Sequence, residues 1–192
     1  MGLCCGVLGI NVAHELGHRS KKYEKNMAKS LLMTSLYMHF FIEHNKGHHK
    51  NVGTVEDSVT ARKNEWLIMF WFRSISGVFR NAWSISNKES LKKYGKLLSL
   101  KNEMIQFTLI QLIWVLTIVL FFGWRVTLYY LLACMVGYLL LETVEYIEHY
   151  GLARKKVSEF RYENTQPKHS WNSDHQWGRL LLFELSRHSD HH

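Results

Sequence analysis

Two long uncharged runs in the second half of the chain dominate its pattern of apolar and polar positions. Met104–Phe122 gives 19 residues without a formal charge; after Gly123-Trp124-Arg125, Val126–Leu141 gives 16 more. A bilayer core of about 30 Å calls for about 20 largely apolar residues in a helix. The first run meets that length, and the second meets it by continuing through Glu142 toward Tyr146. Together they predict a transmembrane hairpin with its tip at Gly123–Arg125, the alternative being two buried helices of a soluble protein. Two shorter apolar segments come earlier. Met1–Ala13 reads as the closing part of a membrane helix, since it lacks the basic region and cleavage-type ending of a signal peptide. Ser30–Ile42, at 13 residues, is short for a full span.

Glu65–Trp83 mixes Trp66, Phe70, Trp71, Phe72, Phe79 and Trp83 with Arg73 and Arg80. That composition suits a helix at the membrane–water boundary and suits an aromatic core helix equally. The single proline, Pro167, lies in the polar stretch Glu163–Lys168 and marks a loop. Leu180–Leu185 then predicts a short apolar helix. The expected fold class is all-α: a polytopic integral-membrane helical protein, with residues 1–192 forming one domain truncated at both ends.

Charge orients the hairpin. Lys88, Lys92, Lys93, Lys96 and Lys101 precede it, Arg154, Lys155, Lys156 and Arg161 follow it, and Arg125 alone sits at the tip. The positive-inside bias puts both open ends on the cytoplasmic side. A net charge of +8 and a pI near 9.4 then reflect basic flanks against anionic lipid. No nucleic-acid recognition motif accompanies them. Cys4, Cys5 and Cys134 lie in apolar segments without a C-x-x-C pair, which disfavours disulfides and thiolate metal sites.

The candidate chemistry lies in the histidines, nine of which fall into four groups. The groups are His14-Glu-Leu-Gly-His18, Glu43-His44-Asn-Lys-Gly-His48-His49, Glu148-His149-Tyr-Gly151 and Arg187-His188-Ser-Asp-His191-His192. Helical residues three or four apart share a face. His14 with His18, His44 with His48, and His188 with His191 and His192 are therefore expected to aim at common points. A structural zinc needs four ligands and a catalytic zinc three, so nine imidazoles suit two ions with positions left open. Imidazole itself serves zinc, copper, iron and nickel, and the metal stays undecided on spacing alone. Glu15, Glu43, Glu148 and Asp190 are candidates for orienting imidazoles through their other nitrogen. His39, inside an apolar run, reads as a hydrogen-bonded interior residue.

His14-Glu15-Leu16-Gly17-His18 is also a literal H-E-x-x-H, the signature of a zinc metalloprotease with glutamate as base. An intramembrane protease built on it would leave the other histidine groups without a role. A non-catalytic metal-binding membrane protein would not need these sequence contexts.

Taken together, HELGH, EHNKGHH, EHYGL and RHSDHH resemble the histidine boxes of the membrane-bound alkane 1-monooxygenases, within the integral-membrane desaturase and hydroxylase class. The resemblance includes Trp171-Asn-Ser-Asp-His175 and Thr54–Asp57, where Val55 and Ser58 stand in place of the family's prolines; Ser186 replaces its usual glutamine. The resemblance implies two non-haem irons held by His14, His18, His44, His48, His49, His149, His188, His191 and His192, with no catalytic residue beyond the ligands. It further implies O2-dependent terminal hydroxylation of medium-chain alkanes in the bacterial inner membrane, with electrons from rubredoxin and its reductase. The alternative within the same class is a fatty-acyl desaturase or hydroxylase. Residues such as Ile110, Leu112, Trp114, Leu131 and Leu139 are candidates to line an apolar tunnel, and His169 and His175 to support the site or partner docking. Arg154, Lys155 and Lys156 are candidates to attract an acidic redox partner, with lipid contact as the plainer role. As given, residues 1–192 are expected to be inactive alone.

Overall fold

The computed structural model describes residues 1–159, 161–182 and 185–190, apart from the side chains of Leu181 and Asp190. Helices carry most of it. The first helical run comprises α1 (Gly2–Cys4), a π-helical stretch Cys5–Ile10 and α2 (Asn11–His18). Next come α3 (Lys22–Thr34), α4 (His39–Glu43), a second π-helical stretch His44–His48 and α5 (His49–Asn51). The long helices α6 (Leu67–Tyr94) and α7 (Glu103–His149) follow, and α8 (Gln176–Leu181) lies near the end. Among the described residues the only sheet is an antiparallel ribbon of β1 (Lys156–Ser158) and β2 (Arg161–Tyr162).

Element α7 carries both uncharged runs, interrupted at Gly123 (φ 79°, ψ 167°), a backbone region that essentially only glycine occupies. The chain reverses there. Trp114 Nε1 donates to Tyr130 Oη at 2.9 Å, whereas 16 residues of straight helix would separate them by about 24 Å. Asn102 starts the helix by accepting from the Met104 amide, as a good N-cap does. Among the described residues α7 is the one helix long and apolar enough to cross a membrane, and only 6% of its most apolar window is buried. A core helix of a soluble protein would show the opposite.

The first helical run packs along the returning half of α7. A side chain on Gly137 would meet Cys5 Cβ at 2.9 Å and the Gly6 nitrogen at 3.2 Å. Paired small residues thus let two backbones touch, as helices do where apolar solvent supplies no hydrophobic drive. This contact sets the depth at which His14 and His18 emerge.

Ser30–Ile42 is not one helix. Helix α3 ends at Thr34, Leu36 turns the chain at φ 53°, and α4 restarts at His39. The freed Met38 amide donates to Gln111 Oε1 at 3.1 Å, and Tyr130 Oη donates to the Thr34 carbonyl at 2.7 Å. Polar side chains from α7 thus satisfy the backbone that the break exposes. The aromatic segment is helical as expected, but α6 runs on to Tyr94 and is capped by Gly95 at φ 68°. It is half core and half surface: Phe70 is fully buried, while Ile68, Met69 and Phe72 are exposed. The expected helix over Leu180–Leu185 is displaced toward the N-terminus, because α8 ends at Leu181 and His188 sits in a separate 3₁₀ turn, His188–Asp190.

Candidate metal centre

The histidine-bearing segments converge on two points. The first gathers His14, His18, His44 and His49; the second gathers His48, His149, His188 and Glu145, with all ligand atoms of a group within 4.8 Å of one another. His191, His192 and the side chain of Asp190 lie outside the described residues.

Local helix geometry sorts the second histidine box between these points. An α-helical period would put His44 and His48 together. The box is π-helical over His44–His48, and a π-turn hydrogen-bonds five residues apart, a geometry common at functional sites. His44 accordingly meets His49, with Nε2 atoms 3.1 Å apart, and His48 is released toward the second group. The expected pairing of His44 with His48 is corrected on that ground. The His14–His18 pairing holds, with rings 5.0 Å apart.

Nitrogen spacings match a shared ion. His44 Nε2 lies 3.1 Å from His18 Nε2, and His149 Nε2 lies 3.0 Å from His188 Nε2. Two nitrogens at about 2.1 Å from one metal are separated by about 3.0 Å at a right angle and by about 3.4 Å at a tetrahedral angle. The observed values favour right angles, which occur in five- and six-coordinate ions and not in tetrahedral ones.

Partners behind the rings fix which nitrogen faces inward. His48 Nδ1 donates to Asp57 Oδ2 at 3.0 Å, and His149 Nδ1 donates to the His169 carbonyl at 3.2 Å. His188 Nδ1 faces Glu148 Oε2 at 3.2 Å, and His14 Nδ1 faces Glu15 Oε1 at 3.4 Å. Each contact leaves Nε2 as the inward lone pair, the arrangement by which outer partners orient metal-bound imidazoles. Burial and the surrounding imidazoles of His14, His48, His49 and His18 push His44 well below its ordinary pKa, which keeps its ring neutral. Burial pushes His48 down too, but the carboxylates of Asp57, Glu145 and Glu43 override it and hold the group up at about 10; a cation bound at Nε2 would take the place of that second proton.

Three of the four acidic candidates lie where they can be judged. Glu15 and Glu148 back imidazoles. Glu43 is buried, and its Oε1 accepts from Asn81 Nδ2 at 3.5 Å. Sequence reasoning missed Glu145 and Asp57. Glu145 precedes His149 by four residues on α7, the same helical spacing used for the histidines, so its signal was present. Asp57 had none of that kind; it comes from a loop. That loop is pinned by Arg73, which pairs with Glu65 at 2.6 Å and donates to the Ser58 and Thr60 carbonyls at 2.8 and 3.0 Å.

Other expectations fare differently. His39 is buried, but among the described residues its Nε2 has no hydrogen-bond partner; it faces an apolar groove of about 780 Å³ shared with Leu36, Tyr37, Trp71, Phe79 and Leu139. Of the proposed tunnel residues, Leu139 alone lines this groove; Leu112 and Leu131 are exposed, and Trp114 packs at the hairpin. His169 supports the site through its carbonyl, while His175 is exposed. Arg154 is committed to structure, donating to the Lys50, Val52 and Glu163 carbonyls at 3.0, 3.2 and 2.7 Å.

Similarity to known proteins agrees with this geometry. The family model for fatty acid desaturases matches residues 1–192. The chain belongs to the fatty acid desaturase family. An alkane 1-monooxygenase of Pseudomonas putida is 41% identical over 185 residues, 96% of this chain and 46% of that protein. Alkane 1-monooxygenase 1 of Alcanivorax borkumensis is 42% identical over 186 residues, again 96% of this chain and 46% of the relative. A xylene/toluene monooxygenase hydroxylase component of Pseudomonas putida is 26% identical over 190 residues, 97% of this chain and 49% of that protein. This desaturase-family chain therefore spans about half the length of the curated relatives it matches.

Proposed function

We propose that the chain forms the catalytic part of a membrane-bound, di-iron alkane 1-monooxygenase. The observation that carries this reading is the pair of imidazole clusters with inward nitrogens 3.0–3.1 Å apart, in a chain about 40% identical to proteins of that name. The donor set fits two ions, and Glu145 Oε2, buried without a hydrogen-bond partner among the described residues, is a donor that a cation would satisfy. His14, His18, His44 and His49 would hold one ion, and His48, His149 and His188 the other, with His191 and His192 as further ligands. Bound there, two iron ions supply the O2 activation that an unactivated methyl C–H requires.

The chain's own residues do the rest. Asp57, Glu15, Glu148 and the His169 carbonyl hold the imidazoles in register. The groove between α6 and the returning half of α7 offers apolar walls for an alkyl chain, within the usual size of small-molecule sites. Tyr37 lines that groove and donates to Glu142 Oε1 at 2.7 Å, and Glu142 precedes Glu145 by three residues on α7, which supports a path from the groove toward the second metal position. Insertion of one oxygen atom into a C–H bond, with the other leaving as water, consumes two electrons and two protons. A rubredoxin-type donor docking on the basic, histidine-bearing side, taken as cytoplasmic in a bacterial inner membrane, is the proposed electron source.

The H-E-x-x-H protease reading accounts for His14 and His18 alone, whereas His44 and His49 fall on the same point. Membranes containing the protein, given octane and separately a fatty-acyl substrate with O2, reduced rubredoxin and its reductase, test the proposal. It expects 1-octanol from octane. A desaturated or hydroxylated acyl product with no octanol would favour the sister activity, and peptide cleavage without oxygenation would revive the protease.

A further inference from the structure

Glu145 stands apart from the nine histidines that the family resemblance implies as ligands. It comes from the membrane helix α7, is 2% exposed, and points its two oxygens in different directions. Oε2 lies 3.7 Å from His48 Nε2 and 3.6 Å from His149 Nε2. Oε1 lies 4.0 Å from His44 Nδ1, behind the ring whose Nε2 faces the first group.

The distances to Oε2 discriminate between two roles. At 3.6–3.7 Å to both nitrogens the contacts are too long for hydrogen bonds, and Oε2 has no other hydrogen-bond partner among the described residues. A carboxylate oxygen and an imidazole nitrogen bound to one ion, each at about 2.1 Å, are separated by about 3.6 Å when the angle is near 120°. The spacing is that of atoms sharing an ion.

We propose that Glu145 is itself a ligand of the second metal position. The inference rests on the two-metal reading above. Its consequence is asymmetry. Among the described residues the first position is built from four imidazoles, and the second from three imidazoles and a carboxylate. The second therefore holds a divalent ion more tightly and favours the higher oxidation state of a redox metal, because a hard anionic oxygen stabilises the greater positive charge.

Titration of metal-free protein in lipid nanodiscs with Co(II), followed by visible absorption and EPR, tests the assignment. Wild type should bind two ions with resolved affinities. Glu145→Gln should weaken one site at least tenfold, leave the other within about threefold, and remove one set of Co(II) bands. Glu145→Asp, which keeps the carboxylate, should recover part of the loss. His14→Ala should give the mirror result, weakening the site that Glu145→Gln spares. Two wild-type affinities and an unchanged spectrum in Glu145→Gln would overturn the proposal, as would equal weakening of both sites. Failure of wild type to bind two ions would overturn the two-metal reading instead.

Discussion

Replacing Asp57 by asparagine isolates the contribution of the loop that follows the second histidine box. Asp57 is 4% exposed, and its carboxylate accepts three bonds: from His48 Nδ1 at 3.0 Å, Thr60 Oγ1 at 2.6 Å and the Val59 amide at 3.1 Å. Asparagine keeps the shape but presents one oxygen and one NH2 group. Whichever way the amide turns, it aims a donor at a donor and removes the negative charge behind His48. Loss of such an outer partner costs about 10–100-fold in metal affinity, equivalent to about 1.4–2.7 kcal/mol. The structure assigns that loss to the second position alone, since Asp57 backs His48 and the first group has its own supports. Isothermal titration of metal-free protein with Co(II) should show one of two sites weakened by that factor and the other unchanged within about threefold. Equal weakening of both sites would mean that Asp57 acts on the fold, and no weakening that it does not orient His48; either result refutes the reasoning.

Two further predictions concern what positions the site. Gly137→Ala places a methyl 2.9 Å from Cys5 Cβ and 3.2 Å from the Gly6 backbone. Neither neighbour can swing aside, so unfolding in nanodiscs should show a loss of about 1–3 kcal/mol, and an unchanged melting temperature would contradict the packing described. For topology, single cysteines at Lys93, Lys156 and Arg125 in a background lacking Cys4, Cys5 and Cys134 should label differently in intact cells. A membrane-impermeant reagent added outside should reach K-to-C changes at neither basic flank but should reach R125C; labelling at both flanks would reverse the orientation.

Long-range order along α7 was legible because uncharged length and flanking charge are one-dimensional signals. The hairpin tip fell where Gly-Trp-Arg interrupts the runs, and Gly123 carries the reversal. The histidine groups were legible as groups, but their division between two points was not. That division depends on a π-helical register at His44–His48, and a 3.6-residue period assumes it away. The break inside Ser30–Ile42 was not legible for a related reason: its composition is continuous, whereas the backbone that the break exposes is satisfied by Gln111 and Tyr130, far along the chain. Glu145 has the same i, i+4 spacing to His149, a signal that a pattern read in histidines alone does not contain. Asp57 needed tertiary structure, since its role is set by a loop that Arg73 folds back onto α6.

Metal content tests the central claim most directly. Protein purified from iron-replete cells and analysed for iron, zinc, copper and nickel together should contain close to two iron atoms per chain and little else. Removal of that iron should abolish octane hydroxylation, and re-addition of ferrous iron should restore it. One zinc per chain with no iron would contradict the account.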